Sequence, residues 1–295
     1  MNKDIKAIVD TPHGKTDTFS ISEAVRQGTI FGPPLCGVST NRINKMTKRV
    51  PVVKLGKDVE IGYPVYVDDM AGMGSKEMIL EMGDKMKGLE STKKYQFNNK
   101  RSKTEILAII NDKKKGKEEI EVEVRSGKIG ETEEYKYLGD CYDKTGNNEI
   151  KISKKMEKSM FMVNEVKWIG CFNTVGSADM VVRMFLLETT INPTLLSNME
   201  TWCSISKKEE DMITKAHYKV LRKIFDQPEG TPYYGIVSET GIWPYTSQIT
   251  FKKLMFAHRV INSDPDRVVR RIMEEQSVTE GNNWWNQLKE KAEEI

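Results

Sequence analysis

The sequence predicts an α+β protein in which an antiparallel sheet with helices is followed by an all-helical region. Apolar and acidic residues alternate over Ile120–Val124, which is the period of a half-exposed antiparallel strand. Apolar residues then recur every three or four positions from Ile152 to Val163, which is the period of a helix. The change follows a polar turn cluster at Thr145–Asn148, so we place domains at 1–148 and 149–295.

The first domain contains several predicted strands. Ile5–Val9 and Thr18–Ile21 flank the turn residues Thr11–Gly14, and this arrangement predicts a hairpin. Further strands are predicted over Ile61–Val67, Glu105–Ile110 and Tyr135–Leu138. Helices are predicted from Gly37 and on the apolar face formed by Ile79, Met82, Met86 and Leu89.

The second domain is predicted to be helical. Ser206 and Glu209 form a capping box, and the helix that they open must end before Pro228. Tyr245–Ile261 repeats the helical pattern, and Asp264 followed by Pro265 predicts the start of another helix. Between these helices, 230–244 is predicted to be a loop-rich insert.

Composition excludes several classes of protein. The 295 residues are 38% hydrophobic and 30% charged with a net charge of +3, which excludes collagenous and fully disordered chains. No apolar run approaches the ~20 residues of a membrane span, and the first ten residues contain no apolar leader. We expect an intracellular chain, cytoplasmic or nuclear, without a membrane partner. The four cysteines lack metal-site spacing, and we expect reduced thiols.

Charge is concentrated in three segments. Ser39–Lys57 and Lys93–Lys103 are basic and contain no acid, whereas Glu118–Glu134 is acidic. Basic segments of this kind suit contact with a phosphate backbone. Solvated surface faces are the alternative interpretation of the same charge runs.

Two adjacent acids, Asp68 and Asp69, follow the short apolar segment that ends at Val67. Glycines at 72 and 74 come next, so we expect the two acids in the turn of a hairpin. Two neighbouring carboxylates repel each other and favour a hard divalent ion such as Mg²⁺, which keeps waters for substrate phosphates. An exposed acidic turn without a metal is the alternative.

Four short blocks occur in an order that resembles the reverse transcriptases of non-LTR, LINE-like retroelements. The blocks are Ala24-Val25-Arg26-Gln27-Gly28 with Gly32-Pro33-Pro34-Leu35, Tyr66-Val67-Asp68-Asp69, Asn98-Asn99 with Lys103-Thr104-Glu105, and Tyr137-Leu138-Gly139. Segments 199–202, 221–222 and 241–244 also resemble the helical region that follows the polymerase core. The resemblance covers roughly residues 5–260, with Gly32 where the family usually has serine.

This resemblance implies the C-terminal part of a palm-type sheet in 1–148 and a thumb in 149–295. It implies a catalytic site for Mg²⁺ or Mn²⁺ with Asp68 as a metal ligand and Asp69 as an adjacent, more peripheral carboxylate of the same site. It also implies an RNA template, a DNA primer and a dNTP as partners. The remaining roles are nucleotide and template binding by Arg26, Gln27, Gly28 and Lys103, and a primer grip at Tyr137, Leu138 and Gly139. Ordinary alternatives stay open, namely a helix-start residue for Gln27, a solvated loop lysine for Lys103 and a core side chain for Tyr137.

The chain departs from the family pattern at the first metal-binding aspartate. Asp10 ends an apolar run but lies only 17 residues before Gln27, in what resembles the hairpin turn upstream of the Gln-Gly block. We therefore expect a truncated reverse transcriptase-like domain with little or no polymerase activity on its own. A non-enzymatic nucleic-acid-binding remnant is the alternative function, and a remnant without selected activity is a third.

Overall fold

The α+β class is confirmed by the computed structural model, which combines many helices with short antiparallel strands. The described residues are 5–21, 30, 32, 34, 37–38, 41, 53–55, 59–61, 64–66, 69–92, 97–98, 100, 103–109, 120–168 and 180–293. They form two compact units, one within 1–54, 60–99 and 121–129, and the other within 55–59, 100–120 and 130–295. The predicted domain boundary at residue 148 stays a prediction.

The predicted N-terminal hairpin is confirmed. Strand β1 (Ile5–Ala7) pairs antiparallel with β4 (Phe19–Ile21), and β2 (Asp10–Thr11) pairs with β3 (Gly14–Lys15) inside it. Asp10 lies opposite Lys15 in this inner hairpin and is exposed to solvent.

Six further short strands and helix α1 (Lys76–Ser91) are described with their bounds in the first unit and at its borders. The strands are β5 (Val53–Leu55), β6 (Val59–Ile61), β7 (Val65–Tyr66), β8 (Asp69–Met70), β9 (Val122–Val124) and β10 (Gly127–Ile129). The single strand predicted over 61–67 is wrong, because Pro64, between β6 and β7, is not in a strand. Pro64 precedes β7 and has no amide hydrogen for a strand ladder.

Helix α1 (Lys76–Ser91) packs against β9 in the first unit. The hydroxyl of Ser75 caps its N-terminus by accepting a hydrogen bond of 3.4 Å from the Met78 amide. Val122 and Val124 are buried while Glu123 is exposed, which confirms the predicted half-exposed strand. Gly37, Val38 and Asn41 have helical backbone, as predicted, but so do Gly32 and Pro34, which precede the predicted helix start at Gly37.

The second unit contains one hairpin and a set of helices. Its strands are β11 (Glu134–Tyr137) and β12 (Asp140–Asp143), and its helices are α2 (Glu149–Trp168), α3 (Met180–Leu186), α4 (Asn192–Leu195), α5 (Lys207–Ile224), α6 (Tyr233–Thr240), α7 (Tyr245–Ile261), α8 (Val268–Val278) and α9 (Trp284–Glu293). A π-helical turn (Leu187–Ile191) joins α3 to α4. The predicted capping box at Ser206 and Glu209 is confirmed.

Three predicted elements of the second unit are corrected. Between 105 and 109 the chain makes only an isolated parallel bridge from Ile106 to Glu131, instead of a strand. The insert predicted as loop contains α6, which begins after Pro232 and ends at Gly241, where φ is +67°. Helix α8 begins three residues later than Pro265, because the Asp264 carboxylate accepts a hydrogen bond of 2.9 Å from the Asp266 amide in a turn.

A cluster of buried apolar side chains (Ala257, Val260, Met273, Trp284 and Leu288) joins α7, α8 and α9, and two further clusters pack the helices from α2 to α7 together. One cluster consists of Ile152, Leu195, Leu196, Met199, Trp202, Ile213, Ala216, Tyr245 and Ile249. The other consists of Val163, Leu187, Ile191, Val220, Leu221, Ile224, Phe225, Ile236 and Ile242. Helices α2 and α5 contribute to both, so these two helices form the centre of the unit. None of the described helices has the length and apolar character needed to cross a membrane.

The described strands form separate antiparallel pairs. Pairs β7–β8, β9–β10 and β11–β12 each join neighbouring strands of the chain. The palm-type sheet expected from the resemblance stays a prediction.

Candidate nucleic-acid interface

The structure describes five of the nine residues assigned to a site from the sequence. Asp69 lies in the first unit, and Lys103, Tyr137, Leu138 and Gly139 lie in the second. The other four, Arg26, Gln27, Gly28 and Asp68, lie outside the described residues.

Asp69 is the first residue of β8 and lies opposite Tyr66 of β7. The amide of Ala71 donates to the Pro64 carbonyl oxygen at 3.0 Å, which closes the base of this hairpin. Asp69 and Tyr66 are both exposed, so the carboxylate of Asp69 is accessible from solvent. The hairpin predicted for this segment is confirmed.

An exposed aspartate carboxylate fits a hard cation such as Mg²⁺ or Mn²⁺ in ligand chemistry, since these ions favour oxygen donors. Asp69 supplies one such group, and the predicted second ligand, Asp68, is not among the described residues. Within the described ranges, no group of three or more His, Cys, Asp or Glu side chains is arranged to hold a metal ion.

Glu90, near the end of α1, is a buried carboxylate that the sequence analysis did not single out. It accepts hydrogen bonds from the amides of Phe97 (3.0 Å) and Ser126 (3.1 Å) and from the Ser126 hydroxyl (2.7 Å). Burial raises the pKa of this carboxyl, but the hydrogen bonds outweigh burial and hold the pKa below its usual value. Glu90 therefore holds the backbone of Phe97, the residue directly before Asn98, where the third of the four sequence blocks begins.

Lys103 lies in a turn, where its amide donates to the Lys100 carbonyl oxygen at 3.0 Å. Its own carbonyl oxygen accepts a hydrogen bond of 3.3 Å from the Tyr135 hydroxyl of β11. The structure thus brings the backbone of Lys103 to the β11–β12 hairpin and leaves the residue exposed.

The turn between β11 and β12 consists of Leu138 and Gly139, which we call the hairpin tip. Tyr137 and Asp140 pair on either side of it, and both tip residues have positive φ, +46° and +91°. This is the backbone of a tight two-residue hairpin turn, which suits glycine and is unfavourable for leucine. Leu138 is nevertheless 45% exposed, so an apolar side chain is held out toward solvent at a cost in backbone energy.

Buried polar side chains hold the hairpin against α2. The Asp140 carboxylate lies 2.8 Å from the Lys155 ammonium, and the Lys151 ammonium lies 4.2 Å from the ring centre of Tyr142. Burial lowers the pKa of Lys151, against the opposing effect of the Asp140 carboxylate. Sequence reasoning missed Lys151 and Lys155, which lie one turn apart on α2, beside its apolar face and not on it.

A row of exposed lysines follows one face of α5. Its members are spaced seven, four and four residues apart, and we call Lys208, Lys215, Lys219 and Lys223 the lysine stripe. The first and last of them bind α2, with Lys208 bridged to Glu149 at 2.6 Å and Lys223 bonded to Asn164 at 2.6 Å. Because both links span the same 59 residues, α2 and α5 run parallel.

The two central lysines of the stripe are available for a ligand. Among the described residues, Lys215 and Lys219 have no ion-pair partner. Helix periodicity places them on adjacent turns, which suits contact with neighbouring phosphates of one strand.

His217 is a buried histidine on the opposite side of α5. Its ring stacks on Tyr245 with 3.6 Å between centroids, and Nδ1 lies 2.8 Å from the Tyr233 hydroxyl. Burial lowers the pKa of His217 to about 3, so the imidazole is neutral at physiological pH. This group supports the core and does not reach a surface.

Comparison of the chain with protein-family models, with curated proteins and with solved structures gave no match. The function is therefore inferred from the sequence blocks and from the geometry of the described residues.

Proposed function

We propose that the chain is a reverse transcriptase-like protein of the non-LTR type, with a palm in 1–148 and a thumb in 149–295. In this proposal it binds an RNA template paired with a DNA primer, inside the cell in the cytoplasm or nucleus. The observation that carries the proposal is the hairpin tip, where the Tyr137-Leu138-Gly139 block of the resemblance forms a tight turn with an outward leucine.

A tip of this kind suits the end of a primer strand. The glycine lets a sugar–phosphate backbone approach the main chain closely, and the exposed leucine offers an apolar contact to a sugar or base. Backbone strain retained at an exposed position supports a binding role, since an unstrained turn residue would otherwise be more stable there.

The lysine stripe supports the same proposal. Lys215 and Lys219 belong to the unit that contains the hairpin tip, and each lysine that contacts a phosphate releases a bound counterion. A thumb requires such a sequence-independent contact, because it must hold any template–primer pair.

Asp68 and Asp69 are the residues that would hold Mg²⁺ or Mn²⁺ in this proposal. The bound ions would stabilise negative charge during transfer of a nucleotide from the dNTP to the primer. Lys103 would lie near the triphosphate, and Arg26, Gln27 and Gly28 would border the nucleotide and the template base.

Binding tests the proposal directly. We expect the full chain to bind an RNA–DNA hybrid with a recessed DNA 3′ end more tightly than a blunt hybrid of the same length.

Lys215→Ala with Lys219→Ala should weaken binding to both hybrids. The affinity of the double variant should also depend less steeply on salt. On duplex DNA, the slope of log K against log salt concentration changes by about 0.9 for each phosphate that is no longer neutralised. Lys289→Ala, in a lysine paired with Glu293 on α9, is the matched control. Equal affinity for the two hybrids, or no salt dependence, would contradict the proposal.

The second candidate function is nucleic-acid binding without catalysis. It is favoured by the fact that the hairpin tip and the lysine stripe can contact a backbone without a metal ion. Primer extension on a homopolymer template with Mg²⁺ or Mn²⁺ separates the two functions. Under the enzymatic function, Asp68→Ala abolishes any extension that wild type shows, even if it is slow; under the binding function, wild type shows no extension and Asp68→Ala leaves affinity unchanged or slightly higher.

A further inference from the structure

The charged side chain next to the hairpin tip is enclosed in the protein. Asp140 is the first residue of β12, and its side chain is 3% exposed. Its partner is the ammonium of Lys155, whose side chain is 7% exposed, at 2.8 Å. A charge pair buried to this degree requires close geometry, because both ions have lost their hydration.

Lys155 also binds a second element of the unit. Its ammonium donates to the carbonyl oxygen of Ser197 at 2.6 Å and to the Ser197 hydroxyl at 2.7 Å. The ammonium therefore donates two hydrogen bonds, both to Ser197, and its contact with Asp140 Oδ1 is an ion pair without hydrogen-bond geometry. Lys155 therefore connects the residue beside the tip to the turn that follows α4.

The neighbour of Ser197 contacts the tip itself. Asn198 donates through Nδ2 to the carbonyl oxygen of Leu138 at 3.3 Å. Asn198 has φ of +59°, and this left-handed backbone follows directly after the residue bound by Lys155. The tip is thus held at two points, at Asp140 through Lys155 and at Leu138 through Asn198.

A buried ion pair is seldom retained for stability, because apolar replacements of similar volume are often as stable. Its distinctive effect is to define one geometry, since few arrangements satisfy all of its hydrogen bonds. We infer that Lys155 is a positioning residue, which with Asp140 and Asn198 fixes the direction of the hairpin tip toward the primer end. This inference rests on the proposed function.

Two changes that keep the fold test the inference. Asp140→Asn combined with Lys155→Met removes both charges of the pair together, so neither partner is left as a lone buried charge, and Lys151 keeps its contact with the Tyr142 ring. Asn198→Gly removes the amide while keeping a backbone that tolerates positive φ. Lys151→Met is the matched control: Lys151 is also buried on α2 and feels the Asp140 charge, but its ammonium contacts Asn148 and the Tyr142 ring instead of Leu138, Gly139 or Ser197.

The readouts are amide hydrogen exchange at 138–141 without nucleic acid, and affinity for the recessed and blunt hybrids. We expect each test variant to exchange at least tenfold faster at the tip and to lose most of the preference for the recessed end, with affinity for the blunt hybrid within twofold of wild type. The Lys151→Met control should keep the preference.

Three results would overturn the inference. The test variants could keep the preference for the recessed end, they could lose affinity for both hybrids equally, or Lys151→Met could lose the preference as they do. A failure of the proposed function itself is recognised earlier, because wild type would then show no preference before any substitution is made.

Discussion

Asn198 and Leu138 lie 60 residues apart in the chain, and the side-chain amide of Asn198 donates to the backbone carbonyl of Leu138 at 3.3 Å. Both residues have left-handed backbone, and in the described part of the chain Asp226 is the one further non-glycine residue with positive φ. Asparagine adopts this conformation readily, whereas leucine does so at a cost of about 1–2 kcal/mol. The hairpin tip therefore has a defined conformation because neighbouring elements hold it.

Gly139 is the tip residue at which a side chain should be most damaging. At φ of +91° we expect Gly139→Ala to reduce the free energy of unfolding by about 1–2 kcal/mol, through backbone strain alone. A Cβ there would meet no atom within 4 Å, so overlap does not contribute. Urea unfolding measures the change.

Gly130 provides the control for this substitution. It also has open space around a Cβ, but its φ is not positive, so Gly130→Ala should leave stability unchanged or raise it by up to ~1 kcal/mol. Equal losses for the two alanine variants would contradict the left-handed turn.

Gly83 is required for the contact between α1 and β9. A Cβ at this position would overlap Cγ1 of Val122, so Gly83→Ala should destabilise the first unit by about 1–3 kcal/mol. Adding Val122→Ala should recover part of the loss, because the overlapping methyl groups are then absent. Thermal unfolding of the single and double variants measures this coupling.

The same helix contains a matched control at Gly88, where a Cβ would meet nothing within 4 Å. Gly88→Ala should stabilise the protein by about 0.5–1 kcal/mol, since alanine favours helix more than glycine does. Equal stability of the Gly83→Ala and Gly88→Ala variants would contradict the close packing of α1 on β9.

Glu209 joins the start of α5 to the start of α2. Its carboxylate accepts hydrogen bonds from the amides of Ser206 (2.6 Å) and Asn148 (2.7 Å), and it is buried. Glu209→Gln should cost about 2–3 kcal/mol, because the amide NH₂ of glutamine would face one of these N–H donors. Ser206→Ala, which removes only the cap hydroxyl, should cost about 1 kcal/mol.

The pH dependence of Glu209 has a defined sign. Burial raises its pKa, but the hydrogen bonds from Ser206 and Asn148 outweigh burial and hold the pKa below 4.5. Its contribution to stability is therefore present above pH 4.5 and is lost as the pH falls further. Glu209→Gln should show a weaker loss of stability in acid than wild type. Glu210→Gln, in the neighbour paired with Lys291 at 3.3 Å, should behave like wild type within about 0.5 kcal/mol.

The sequence was sufficient for elements whose signals are local. The capping box at Ser206, the apolar period of α2 and the alternation in β9 each lie within a few residues of the element that they predict. Helix α6 was missed because it is short and its signals, Pro232 before it and Gly241 after it, resemble those of a loop. The strand predicted at 105–110 does not form at 105–109, because backbone pairing there is limited to one isolated bridge between Ile106 and Glu131. The apolar residues of a segment do not show whether a partner strand lies beside it.

The candidate site was predictable only where its residues are consecutive. The block at Tyr137-Leu138-Gly139 is visible in the sequence, and its turn follows from the glycine. The supports at Asp140, Lys155 and Asn198 are separated by up to 58 residues, and a buried lysine on a helix has no local signature. Long-range pairing of polar groups depends on tertiary packing, which the spacing of residues along the chain does not specify.

His217 should make the stability of the second unit depend on pH in the mildly acidic range. Its pKa is about 3 in the folded protein and 6.5 when exposed, so its contribution is fully present above pH 6.5 and is lost as the pH falls toward 3. The expected loss is about 2 kcal/mol between pH 7 and pH 5. Urea unfolding at several pH values measures it, and pH 5 to 7 lies above the range in which the contribution of Glu209 is lost.

His217→Phe keeps a flat ring against Tyr245 and removes the titrating group, so it should abolish most of this slope between pH 7 and pH 5. At pH 7 the variant should be less stable by about 1 kcal/mol, because the Tyr233 hydroxyl loses its partner at Nδ1. His258→Gln, at an exposed position on α7, should keep the slope of wild type. An unchanged slope in the His217→Phe variant would contradict the assignment of this pH dependence to His217.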